Sequence, residues 1–363
     1  MVQERTVKNL NWKTLLWVLP LVVWLTLSYN LMKTVPMWQD EYVFYRLTSQ
    51  LPSLAVTKDW FYVDNPKTLV PSSSFPVDRE ELFRVIYNTP IYSHSPLANY
   101  LVWPFVKTVN ILAEKGVIPR IEDTQDLNKA ETMTVILRIV SMALFASSMI
   151  VAFKLMQLKV RNSAYTYSIP VFMSIGLLLG SYYFYWDAFM WFFFVLSLYL
   201  SERKSRWAYV IACFLVNTKA VIGMVLLVPL IIQNRKMAYT LLSIVPFYIA
   251  SAVITGNPFY TIAHLIPQTS QYTWIYRYWT PVMIKNFGLA YYAFLTLPIL
   301  LFVKKYPVYV ATYLISLWYA WGFGIAPDKM VSMLYGGALV FPLIVHEVYE
   351  RTKGRLRLEV AKQ

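Results

Sequence analysis

The chain has 363 residues, 58% of them hydrophobic and only 14% charged, and a formal net charge of +14; a soluble domain of this size carries about a quarter charged residues. The apolar excess falls in continuous blocks of about 15–25 residues, long enough to cross a hydrocarbon core of roughly 30 Å as helices, and their lack of alternation excludes a membrane barrel, the other structure that satisfies backbone groups in lipid. A single cysteine, Cys213, and three scattered histidines exclude an internal disulfide, a zinc cluster and a His-x-x-x-His site. The expected fold is an all-α polytopic membrane protein, one membrane domain with a large loop in it.

The first apolar run, Trp12 to Met32, is preceded by Arg5 and Lys8. It is too long for a signal-peptide core and has no small-residue cleavage site, so it is expected to be a retained anchor. Directly after it comes Trp38-Gln39-Asp40-Glu41-Tyr42, two adjacent carboxylates among aromatic residues. The polar stretch 33–131 that contains them is too long for a plain connector. Residues 39–51 are expected to be helical, 52–76 to form a Pro- and Ser-rich loop, and 79–87 a short helix with Asp78 as N-cap and Glu81 completing a capping box. After Thr89-Pro90-Ile91-Tyr92-Ser93-His94-Ser95-Pro96-Leu97, the apolar-aromatic stretch Ala98–Leu112 carries Asn99, Lys107 and Asn110 and is expected to lie in the membrane interface.

Further apolar runs follow at 132–153, 167–183, 186–200, 207–217, 219–233, 237–255, 282–303, 307–325 and 330–346. The connections that carry Lys154, Lys159 and Arg161, then Arg203, Lys204 and Arg206, then Arg235 and Lys236, then Lys304 and Lys305, and the closing Arg351, Lys353, Arg355 and Arg357, are basic. Basic short loops mark the cytoplasmic side. All of these clusters share that side if Trp207–Gln233 enters and returns as two short arms, a form tolerated where the backbone is buried in protein. About ten transmembrane or re-entrant helices result, with both termini cytoplasmic. The basic charge is then topology and contact with anionic membrane lipids, and nucleic acid is not an expected partner because no basic face lies on a soluble module.

The outward side collects Asp40 and Glu41, His94, Asp187, Lys219, Arg277 and the pair Asp328-Lys329. Each has an ordinary explanation. Asp40 and Glu41 could be a solvated helix end; as chemistry, a carboxylate beside an apolar wall can take a proton from a hydroxyl, and carboxylate oxygens also suit a hard divalent cation. His94 could be structural; protonated it binds phosphate, neutral it orients a carboxylate. Asp187 could cap a helix, but an acid between apolar runs needs water or a partner, and an acid among aromatic rings also suits a sugar. Lys219, flanked by apolar runs on both sides, is the least ordinary, because snorkelling does not explain a lysine at a re-entrant tip; a phosphate or an acid is its expected partner. Arg277 and Lys329 are candidate phosphate contacts, Arg277 through its planar fork, although Trp and Tyr around it also fit an interfacial belt.

The order of these features resembles the GT-C class of polytopic glycosyltransferases, similar to the protein O-mannosyltransferases and the aminoarabinose transferases of lipid A. The resemblance is carried by Asp40-Glu41 after the first helix, by His94-Ser95-Pro96-Leu97 in the first loop (with Ser95 where the family has Pro), by Asp187 opening a helix that ends in Leu198-Tyr199-Leu200, and by Thr218-Lys219. It covers residues 12–235; the C-terminal third matches only loosely and lacks the usual Arg-Tyr near Asp328-Lys329. The resemblance implies transfer of a sugar from a polyprenyl-phosphate donor to a hydroxyl of a lipid, glycan or protein on the outer face, with Asp40 as base in an inverting displacement. A divalent metal ion is a candidate cofactor, with Asp40 and Glu41 as ligands, and a prokaryotic plasma membrane the expected location. The rival class is a transporter or flippase of a lipid-linked sugar, against which stands the absence of two matching halves in the sequence.

Overall fold

The computed structural model describes residues 12–34, 41, 44, 45, 48, 49, 51, 97–119, 132–160, 166, 169, 184–255, 258, 295–322 and 327–360, some helix ends by backbone alone. Among them every regular element is helical: α1 (Trp12–Thr34), α2 (Leu97–Glu114), α3 (Thr132–Lys159), α4 (Trp186–Glu202), α5 (Trp207–Thr218), α6 (Ala220–Gln233), a 3-10 segment (Arg235–Ile244), α7 (Val245–Thr255), a second 3-10 segment (Leu297–Phe302), α8 (Pro307–Gly322) and α9 (Pro327–Val360). The expected runs at 167–183 and most of 282–303, and the loop helix at 79–87, lie outside the described residues.

α4 is the axis of the bundle. Its sequence is apolar on every face, which suits a helix surrounded by others, and ten of its residues from Trp186 to Leu198 are buried. It packs against α3, α5, α6 and α9. α3 buries a stripe that includes Met133, Leu137, Ser141, Phe145, Ser148, Ala152 and Leu155, with successive steps of three and four residues. It is the one helix among the described residues long and apolar enough to cross a membrane by length and composition; the segments Trp207–Thr218 and Val221–Gln233 are apolar but short.

The reversal expected within Trp207–Gln233 is present. α5 ends at Thr218, Lys219 is extended at φ −145° and ψ 89°, and α6 begins at Ala220. In an unbroken helix Leu215 and Gly223 would lie about 12 Å apart; here a Cβ on Gly223 would stand 2.5 Å from the Leu215 carbonyl oxygen. At the far ends of the arms, Asn234 Nδ2 donates to the Tyr209 hydroxyl at 2.9 Å. The two helices are therefore antiparallel and close together along their length, and glycine at 223 permits the approach.

Two boundaries differ from the expected ones. The apolar run at 237–255 is a 3-10 segment followed by α7, with Asn234 accepting from the Lys236 N–H at 3.1 Å at its start. The last helix runs past 346 to Val360, so Arg351, Lys353, Arg355 and Arg357 ride on its final turns. Cations there complement the negative end of the helix dipole, which apolar periodicity does not register.

Many exposed side chains are also apolar. Leu19 is 62% exposed, Val253 79% and Leu301 78%, and α1 turns Val18, Val22, Val23, Leu25 and Leu27 outward as well.

Candidate functional site

Four consecutive residues, Phe184, Tyr185, Trp186 and Asp187, organise one end of the bundle at the start of α4. The Phe184 N–H donates to Glu41 Oε1 at 2.8 Å. The Trp186 indole donates to Asn99 Oδ1 on α2 at 3.0 Å. Asp187 accepts from Lys219, and the Tyr185 ring centroid lies 4.8 Å from the Lys219 ammonium. Four residues of the chain thus gather the acid-pair segment, the loop helix and the hairpin tip.

Glu41 is fully buried, as is Arg138 of α3. Arg138 donates through Nε to Glu41 Oε1 at 2.8 Å and through NH2 to Oε2 at 2.6 Å, and its NH1 donates to the Met32 carbonyl in the last turns of α1 at 3.0 Å. This is the bidentate fork that arginine makes with carboxylate. With the Phe184 amide added, both Glu41 oxygens are engaged, and α1, the segment after it, α3 and the approach to α4 are tied at one point. A buried ion pair is sustained by such complete hydrogen bonding, and losing one partner strands a charge.

Of the expected helix over 39–51, the described Glu41, Phe44, Tyr45, Thr48 and Ser49 are helical and Leu51 lies in a turn. Glu41, Phe44, Thr48 and Leu51 are buried, spaced by three or four residues. Phe44 meets Phe184 and Trp186 edge-on, with centroids 4.8 and 4.6 Å apart. Asn99 Nδ2 donates to Thr48 Oγ1 at 2.9 Å, and Tyr45 donates to Asn110 Oδ1 at 2.9 Å. Asn99 and Asn110 of Leu97–Glu114 thus face protein partners in the segment after α1, whereas Lys107 is exposed.

Lys219 and Asp187 are each 6% exposed. The ammonium lies 3.3 and 3.2 Å from the two Asp187 oxygens and 2.8 Å from the Tyr319 hydroxyl of α8. Tyr319 donates in turn to Asp187 Oδ1 at 2.6 Å. The three groups form a triangle of mutual hydrogen bonds in which the acid and base are paired and the phenol serves both. Below it, Trp191 stacks on Tyr335 of α9 with centroids 5.0 Å apart and planes 6° from parallel, and Phe145 of α3 meets the same tyrosine edge-on at 5.5 Å. These rings pack three helices together between the site and the other end of the bundle.

No protein-family model matches the chain, and no curated protein or solved structure is significantly similar to it.

Of the residues singled out in the sequence, the structure brings Glu41, Asp187 and Lys219 to the same end of the bundle. Asp40, His94 and Arg277 lie outside the described residues, and Lys329 lies in the first turn of α9. Asp40 is the covalent neighbour of a fixed residue. Among the described residues no three His, Cys, Asp or Glu side chains are grouped to hold a metal. Three contributors were missed by sequence reasoning: Arg138, Asn99 as a bridge, and Tyr319. Arg138 had a signal, since a lone arginine inside an apolar run requires an acid partner. Tyr319 had none, being one tyrosine among 28.

Proposed function

We propose that the protein is a polytopic membrane glycosyltransferase of the GT-C kind, transferring a sugar from a polyprenyl-phosphate donor to a hydroxyl acceptor, with inversion, at the outer face of a prokaryotic plasma membrane. The observation that carries this reading is the convergence on residues 184–187 of the segment bearing the acid pair and the helix break bearing Lys219. The sequence separates these elements by more than a hundred residues, yet the resemblance requires them together. The membrane part of the reading draws support from the exposed apolar faces. It also draws on the span of α3, whose twenty-two residues from Arg138 to Lys159 cover about 30 Å.

In this reading Glu41 is an anchor and Asp40 the base. Asp40 takes the proton of the acceptor hydroxyl as that oxygen bonds to the anomeric carbon; the bond from that carbon to the donor's phosphate oxygen breaks, and the phosphate leaves with the electron pair. Lys219 meets the growing negative charge on the leaving phosphate, an interaction stronger in the transition state than in the ground state. Arg277, His94 and Lys329 are further phosphate or substrate contacts, and Asp187 is suited to sugar hydroxyls. A divalent cation held by Asp40 would supply the same electrostatic help; loss of turnover on chelation, restored by added metal, would establish it.

The test is a pair-neutral variant. Asp187→Asn with Lys219→Met removes both charges of the pair together. It is expected to stay folded and in the membrane fraction, with the donor KM raised at least tenfold and the acceptor KM within twofold. Equal changes for both substrates would make the pair structural. The buried Asp187–Lys219 pair at a helix break also suits a flippase for a lipid-linked sugar; movement of donor across vesicles without any transfer product would select that reading.

A further inference from the structure

The end of the bundle opposite the proposed site carries a composite cationic surface that neither connection forms alone. The turn after α4 holds Arg203, Lys204 and Arg206, and the turn after α6 holds Arg235 and Lys236; all five are exposed. The hairpin closure puts the turns side by side through Asn234 to Tyr209 at 2.9 Å and Gln233 Nε2 to Glu202 Oε1 at 2.6 Å. The acid at this junction, Glu202, is already neutralised by Lys159 at 2.5 Å, and none of the five cations meets an acidic side chain among the described residues. Trp207, 67% exposed, and Tyr239, 72% exposed, flank them with aromatic surface.

Lys204 is the informative residue. Its φ is +54°, the one positive φ at a non-glycine residue among those described. Glycine or asparagine adopts that conformation at lower cost. A lysine kept there points to a use for its charge.

We infer that these two turns together bind the headgroup of an anionic lipid with two phosphates, a diphosphatidylglycerol-type lipid, one phosphate to each turn. The inference rests on the membrane reading and not on the transferase reading. Charge complementarity selects an anion, the aromatic flanks select one that sits at a membrane surface, and the pairing of two cationic turns across neighbouring helices selects two linked phosphates over one. Basic surfaces between membrane helices on the cytoplasmic side are suited to such headgroups.

The experiment uses the full-length protein in detergent, titrated with diphosphatidylglycerol or phosphatidylglycerol at equal total phosphate, with bound lipid counted by native mass spectrometry. Wild type is expected to retain diphosphatidylglycerol at least tenfold more tightly. Lys204→Gly is expected to keep or raise thermal stability while weakening retention about fivefold, since each basic residue near a membrane contributes roughly 1 kcal/mol. Arg235→Gln with Lys236→Gln should remove the preference for two phosphates, and Arg351→Gln with Lys353→Gln should leave it. Equal retention of the two lipids per phosphate, or a Lys204→Gly protein that binds as wild type does, would overturn the proposal. Wild-type protein that stays in solution after membranes are pelleted would overturn the membrane reading instead.

Discussion

The two ends of the helical bundle use the same side chains in opposite ways. At the end built on residues 184–187, two ion pairs among the described residues are buried and matched: Glu41 with Arg138, and Asp187 with Lys219 and Tyr319. At the other end each pair has a lysine that reaches water, though Glu347 itself is buried. Lys159 meets Glu202, and Lys305 meets Glu347, with Lys305 58% exposed and its partner also accepting from Tyr306 at 2.6 Å. The second end also carries surplus cations. The comparison teaches that burial decides what an ion pair does. Two buried pairs fix the geometry of one end at the risk of severe loss on mutation, whereas a pair with an exposed lysine contributes less and leaves that charge near water.

Mutation is expected to separate the ends by magnitude. Arg138→Met should have the largest effect, because it strands Glu41 and releases the Met32 carbonyl; a loss of about 3–5 kcal/mol is expected for a broken buried pair. Thermal unfolding in detergent checks this, and the double variant with Glu41→Leu should recover much of the loss. Gly223→Ala comes next. Its Cβ would press on the Leu215 carbonyl oxygen, a backbone atom that cannot turn aside, and overpacking of this kind costs about 1–3 kcal/mol. A Gly223→Ala protein as stable as wild type would mean that the helices of the hairpin are not so close. Tyr319→Phe removes one bond to each member of the Asp187–Lys219 pair and should cost about 1–2 kcal/mol. Glu347→Gln at the other end should cost about 1 kcal/mol, because Glu347 is itself buried but its partner Lys305 is 58% exposed and can turn to water. If Glu347→Gln proved as damaging as Arg138→Met, the contrast between the ends would fail.

The sequence exposed this contrast unevenly. Helices, their order and the reversal at Lys219 were legible, because apolar runs, basic turns and a lysine between two short arms are local signals. The apolar positions Tyr42, Val43, Tyr45, Leu47 and Leu51 likewise marked a helix after α1, whose buried face is Glu41, Phe44, Thr48 and Leu51. The partners were not legible. Arg138 lies 97 residues from Glu41, and Tyr319 lies 132 from Asp187, and nothing local to either acid selects its cation or phenol. The same limit explains the role of Glu41. Beside Asp40 it resembles half of a catalytic pair, and only the fold shows its carboxylate held by Arg138 and the Phe184 amide. The 3-10 turn at Arg235–Ile244 was read as part of one long run because hydropathy does not distinguish the two helix types.

The most direct test of the account is transfer by purified protein in nanodiscs. A panel of radiolabelled polyprenyl-phosphate sugars would be supplied with membrane lipid and glycan extract, with wild type and Asp40→Asn side by side. The account predicts that one labelled sugar moves to a hydroxyl acceptor with wild type, and that Asp40→Asn lowers the rate by at least a hundredfold while remaining folded and able to bind the donor. Full activity in Asp40→Asn would contradict the assignment of the base. Label that stays on bound donor for every sugar would contradict the transferase reading itself.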